Sequence, residues 1–142
     1  RTVAPPNLIT FDAATRETCV VRESRTNTPL QALTLLNEIT FVESARNLAQ
    51  QAMRSDGTSV SDRITIAFRR LLTRSPSAEE LRVLVDGWHA HYHRFRDDPA
   101  AARAFVEIGE SPVAVDKDVI ELAAYTATCS VLLSLDEAVT RN

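Results

Sequence analysis

From Thr28 onward, apolar residues recur every third or fourth position, and the breaks between them coincide with helix-start and helix-stop signals. Thr28-Pro29-Leu30-Gln31 places an N-cap residue, a proline at the first helical position and a glutamine that can close a capping box. Leu30, Ala32, Leu33 and Leu36 form the apolar face of that short helix, and Asn37 offers a stop. Thr40-Phe41-Val42-Glu43 reads as a second capping box, opening a helix that buries Phe41, Ala45, Leu48, Ala49 and Ala52 and ends at Ser55-Asp56-Gly57. A third helix is expected from near Ser61-Asp62, with Ile64, Phe68, Leu71 and Leu72 inward and Ser75-Pro76 as its end. Ser77-Ala78-Glu79-Glu80 opens the longest helix, which runs to about Arg96 with Leu81, Leu84, Val85, Trp88, Tyr92 and Phe95 on one face. Asp98-Pro99 starts a shorter helix ending at Gly109. Asp118-Val119-Ile120-Glu121 starts the last. From Leu122 to Leu135 it is apolar nearly all round, which places it at the centre of the assembly.

The pattern predicts an all-α fold, a bundle of about six helices over residues 28–142. Its expected core is Leu33, Leu36, Phe41, Leu48, Phe68, Leu71, Leu84, Trp88, Phe105, Leu122, Tyr125, Leu132 and Leu133. Residues 1–27 have no helical period: Pro5-Pro6-Asn7 breaks the chain, and charged and polar residues crowd Asp12 to Asn27. They are expected to form an irregular N-terminal arm over the helices. Irregular segments of that length in a compact domain are usually functional or disordered.

Composition narrows the function classes. Three glycines and six prolines in 142 residues leave little room for a turn-rich β fold. A net charge of −3 argues against a nucleic-acid surface, and no run of about 18 apolar residues provides a transmembrane segment. Every basic residue but Lys117 is arginine, which suits bidentate contacts to carboxylate, phosphate or sulfate, although arginine-favouring codon usage explains the bias as well. Cys19 and Cys129 belong to no C-x-x-C, C-x-x-C-H or zinc spacing, so neither covalent haem nor a structural zinc is expected; whether they pair as a disulfide is left open.

His89-Ala90-His91-Tyr92-His93 would share a face only on a strand. On a helix His89 and His93 are neighbours and His91 lies on the other flank, so no three-ligand metal site is expected. Asp136 with Glu137, and Asp12 with Glu17, are the carboxylates that chemistry could use, but nothing in the sequence fixes their separation. No Gly-x-Ser-x-Gly or phosphate loop occurs, and no catalytic residue is assigned. The densest polar run carries the one candidate binding set: Asp12, Arg16, Glu17, Arg22, Arg25 and Asn27. Its arginines either pair with Asp12 and Glu17 to pin the arm, or line a pocket for an anionic group.

Several stretches also carry a family resemblance. Ala4-Pro5-Pro6, Thr10-Phe11-Asp12-Ala13, Arg16-Glu17-Thr18-Cys19 and above all Arg25-Thr26-Asn27-Thr28-Pro29-Leu30-Gln31-Ala32-Leu33 resemble the planctomycete-specific C-terminal domain family of unknown function. The likeness continues through Leu35-Leu36-Asn37, Thr40-Phe41-Val42-Glu43, Gly109-Glu110-Ser111-Pro112 and Leu132-Leu133-Ser134-Leu135-Asp136-Glu137, and departs from the family pattern at Ala14, Glu38-Ile39 and Ser134. The resemblance implies the C-terminal part of a longer domain in an exported, multidomain bacterial protein, with cytochrome-c-like segments nearer its N-terminus. It implies no catalytic or binding residues. The function expected is a non-catalytic helical module without cofactor, packing against upstream domains of its parent or a protein partner. The alternative is an enzyme or binding subunit acting on an anionic, sulfated glycan through the arginine-rich arm.

Overall fold

In the computed structural model the residues described are 38–57, 59–113 and 118–139, and they form six helices and no strand. These are α1 (Ile39–Arg54), α2 (Val60–Leu72), α3 (Ala78–Asp97), α4 (Pro99–Val106), α5 (Val119–Leu133) and α6 (Asp136–Val139). The all-α expectation is met. The helix expected from Thr28, with Leu33 and Leu36, lies outside the described residues.

Local chemistry explains most boundaries. Ser77 accepts from the Glu80 amide (3.2 Å) while the Glu80 carboxylate accepts from the Ser77 amide (2.7 Å), a reciprocal box that satisfies two orphan donors at the start of α3. Asp98 caps α4 by accepting from Ala101 N, with Pro99 at the first position, and Asp118 caps α5 by accepting from Ile120 N.

Four boundaries differ from expectation. Thr40 is not an N-cap: α1 begins at Ile39, because the Glu38 carbonyl already accepts from Phe41 N and Val42 N, and the Thr40 carbonyl is bonded inside the helix by the Ser44 hydroxyl (2.8 Å). Phe41 accordingly turns half outward and Val42 takes the buried position. α2 starts earlier than Ser61, since Ser59 and Asp62 form the box, and it ends at Leu72, where Thr73 takes a left-handed conformation at φ 60°. α4 stops at Val106 rather than reaching Gly109.

The central position expected for the last helix is observed. Leu122, Ala123, Ala124, Tyr125, Thr126, Thr128, Cys129, Ser130 and Leu132 of α5 are all buried, and α1, α2, α3, α4 and α6 all pack on it. Thr126, Thr128 and Ser130 satisfy their hydroxyls on carbonyls one turn back, at 2.8, 3.0 and 3.1 Å, so polar side chains are tolerated there. Ala45, Ala49 and Ala52 give α1 a fully buried, small-residue face. Of the expected core, Phe68, Trp88, Leu122, Tyr125 and Leu132 are buried, and Leu48, Leu71, Leu84, Phe105 and Leu133 pack partly buried against them.

Candidate functional site

The six residues of the candidate arm site, Asp12, Arg16, Glu17, Arg22, Arg25 and Asn27, lie outside the described residues, as do Cys19 and thus one half of any Cys19–Cys129 pairing. The structure instead concentrates polar chemistry at a junction that the sequence reading missed. α1 projects Glu43, Arg46 and Asn47 from one flank, and the loop after α4 folds back onto them.

Arg46 is only 1% exposed. Its Nη1 donates to the carbonyls of Val106 and Ile108, the latter at 2.6 Å, and its Nη2 donates to the Ser111 carbonyl at 2.8 Å. The guanidinium therefore sits at the C-terminal end of α4, where free carbonyls and the negative end of the helix dipole favour a cation. Glu43 stands 3.9 Å from Arg46 and accepts from the backbone amide of Ser111 (2.6 Å) and from its hydroxyl. Asn47 Nδ2 donates to the Ser111 hydroxyl at 3.2 Å. Gly109 permits this approach: its φ is +95°, and a Cβ there would meet the Glu43 carboxylate at 2.6 Å. The partners of the Ser111 hydroxyl are a carboxylate and an amide, so its contacts order the loop and do not build a nucleophile–imidazole pair. Two stretches noted for their family character, Thr40–Glu43 and Gly109–Pro112, thus meet through Glu43 and Ser111.

The candidate carboxylate Glu137 is also engaged. Arg74, in the turn between α2 and α3, donates to both oxygens of Glu80 (2.8 and 3.0 Å) and to both of Glu137 (2.7 to 3.1 Å), and lies 4.9 Å over the Phe68 ring. The guanidinium holds the Glu80 carboxyl down at about 2 and lowers that of Glu137. Both stay ionised at neutral pH, so neither supplies the proton of a general acid. A third arginine, Arg63, ties α2 to α5 by donating to Glu121 at 2.6 Å, with Gly57 O at 3.1 Å. It also lies 5.9 Å from the Tyr125 ring centre, and burial pushes that phenol's pKa up.

Among the described residues, no group of three or more His, Cys, Asp or Glu could hold a metal ion. The α3 histidines separate as a helix requires. His89 stands edge-on to Trp88 (5.1 Å) and His93 edge-on to Tyr92 (6.2 Å), both exposed. His91 is half-buried, and desolvation, helped by Arg94, lowers its pKa. Cys129 is a buried thiol whose pKa burial pushes up to about 12, which makes it unreactive as a nucleophile. No helix among the described residues is long and apolar enough to cross a membrane.

The family model of PSD1, described as a protein of unknown function (DUF1553), matches residues 1–88, more than half of the chain. The chain belongs to that family. No curated protein and no solved structure matches it. The matched span stops at Trp88 within α3, so the PSD1 match includes α1 and α2, while the central helix α5 and the Ser111 loop lie beyond it.

Proposed function

We propose that this PSD1-family chain is a non-catalytic helical module of a larger exported bacterial protein, which packs against upstream domains of its parent or against a protein partner. The observation that supports this most directly is the disposition of its charged side chains: Arg46, Arg63 and Arg74, with Glu43, Glu80, Glu121 and Glu137, all tie one element of the bundle to another. They stabilise relative positions rather than converge on an open cleft. The exposed large apolar side chains among the described residues are Ile39 (60%), Val83 (57%) and Val131 (41%), each on a different helix, α1, α3 and α5. The planctomycete origin and the cytochrome-c-bearing parent suggested by the sequence resemblance fit this reading.

The test sets the full chain against the remaining domains of its parent, expressed separately, in sedimentation velocity. A stoichiometric complex is the expected result. Against it stands the anionic-glycan reading, which expects saturable binding of sulfated but not neutral oligosaccharides. Loss of that binding in Arg22→Ala and Arg25→Ala, with unfolding midpoints unchanged, would replace the module reading.

A further inference from the structure

We propose that α3 carries an open, two-point chelate for a borderline divalent ion of the Ni²⁺, Cu²⁺ or Zn²⁺ class, formed by His89 and His93. The two imidazoles are four residues apart on a continuous helix of 20 residues, which sets them one above the other on one face. Both are exposed, so their rings reach a common ion by rotation about side-chain bonds with no change in the backbone. Imidazole nitrogen is the ligand these ions share, and water fills the remaining positions. His91 is excluded by geometry: two residues away in either direction, it lies on the other flank, half-buried and beside Arg94. The inference is independent of the module reading, because a surface chelate neither requires nor forbids a partner domain.

The protein reports on this site by itself. Its single tryptophan is Trp88, whose ring is 5.1 Å from that of His89, so a paramagnetic ion held at His89 and His93 quenches its fluorescence. Titrating the full chain with Ni²⁺ should give saturable quenching below about 1 mM, reversed by chelator and competed by diamagnetic Zn²⁺. His89→Gln and His93→Gln should each weaken binding by about tenfold or more, while His91→Gln leaves it unchanged. These are surface changes, so the variants should unfold as the parent does. Quenching that fails to saturate, that survives both substitutions, or that His91→Gln removes equally would overturn the chelate.

Discussion

Arg46 and Arg74 both staple the bundle, and they do it in opposite surroundings. Arg74 makes more charge-assisted bonds, gripping two carboxylates at once, yet its side chain is 42% exposed and its partners Glu80 and Glu137 are 37% and 43% exposed. Arg46 has one carboxylate at 3.9 Å and otherwise holds neutral carbonyls, but it is shut away from water. Exposed ion pairs exchange hydration for a contact of nearly equal free energy, whereas a buried donor set that is removed leaves its acceptors with nothing. Solvent access, not the number of bonds, ranks the two clamps.

The ranking breaks if Arg46 proves replaceable. Arg46→Met keeps the stem and removes the head, taking the donor away from the carbonyls of Val106, Ile108 and Ser111, so it should cost about 3–5 kcal/mol in denaturant unfolding. A loss below about 1 kcal/mol would mean that water replaces the guanidinium, and the distinction between the two arginines would fail. Leu132→Ala gives the apolar yardstick: Leu132 is fully buried, and the cavity should cost about 2–5 kcal/mol. Gly109→Ala probes the loop that Arg46 holds. Its φ of +95° strains any side chain, and its Cβ would press on a Glu43 carboxylate already fixed by Ser111, so about 1–3 kcal/mol should be lost. Equal stability of Gly109→Ala and the parent would show that the loop shifts freely and that Arg46 does not fix it.

The same comparison explains what was legible in the sequence. The caps at Ser77, Asp98 and Asp118 are bonds across two or three residues, so residue type and spacing suffice to find them. The uniformly apolar stretch after Asp118 likewise announces a helix buried all round. Thr40-Phe41-Val42-Glu43 has the spacing of a cap but lies inside the helix, and its Glu43 is taken by Ser111, 68 residues away. The end of α4 was misplaced for a similar reason. Gly109 is the left-handed residue the sequence suggests, yet the Val106 carbonyl at the end of α4 and the Ile108 carbonyl just beyond it bond Arg46, 60 and 62 residues distant, and the helix ends before Gly109. One signal for Arg46 was present: it falls beside Val42, Ala45 and Ala49 on the apolar side of α1, where an arginine needs partners. The arm residues Asp12 to Asn27 lie outside the described residues, and their anion-binding role stands as a proposal.

The smallest effect is expected at Arg74, and it should depend on pH and salt. Hydrogen bonds from Arg74, and then from Ser77, lower the Glu80 pKa to about 2 from an unperturbed 4.5. A carboxyl whose folded pKa is depressed contributes stability that is fully present above its unfolded pKa and is lost as pH falls through its folded pKa. The contribution should therefore be intact at pH 6 and should disappear between about 4.5 and about 2, with Glu137, shifted in the same direction by the same guanidinium, adding to the slope. Arg74→Ala should flatten this part of the stability–pH curve: its small deficit should be constant at pH 6 and above and should vanish as the pH falls towards about 2. Because the network is exposed, raising the salt should shrink the difference between the two proteins, while the Arg46→Met deficit persists. The measurement is a set of urea midpoints from pH 2 to 7 at low and high ionic strength. An Arg74→Ala deficit as large and as salt-independent as that of Arg46→Met would show that the α2–α3 turn shields its clamp from water.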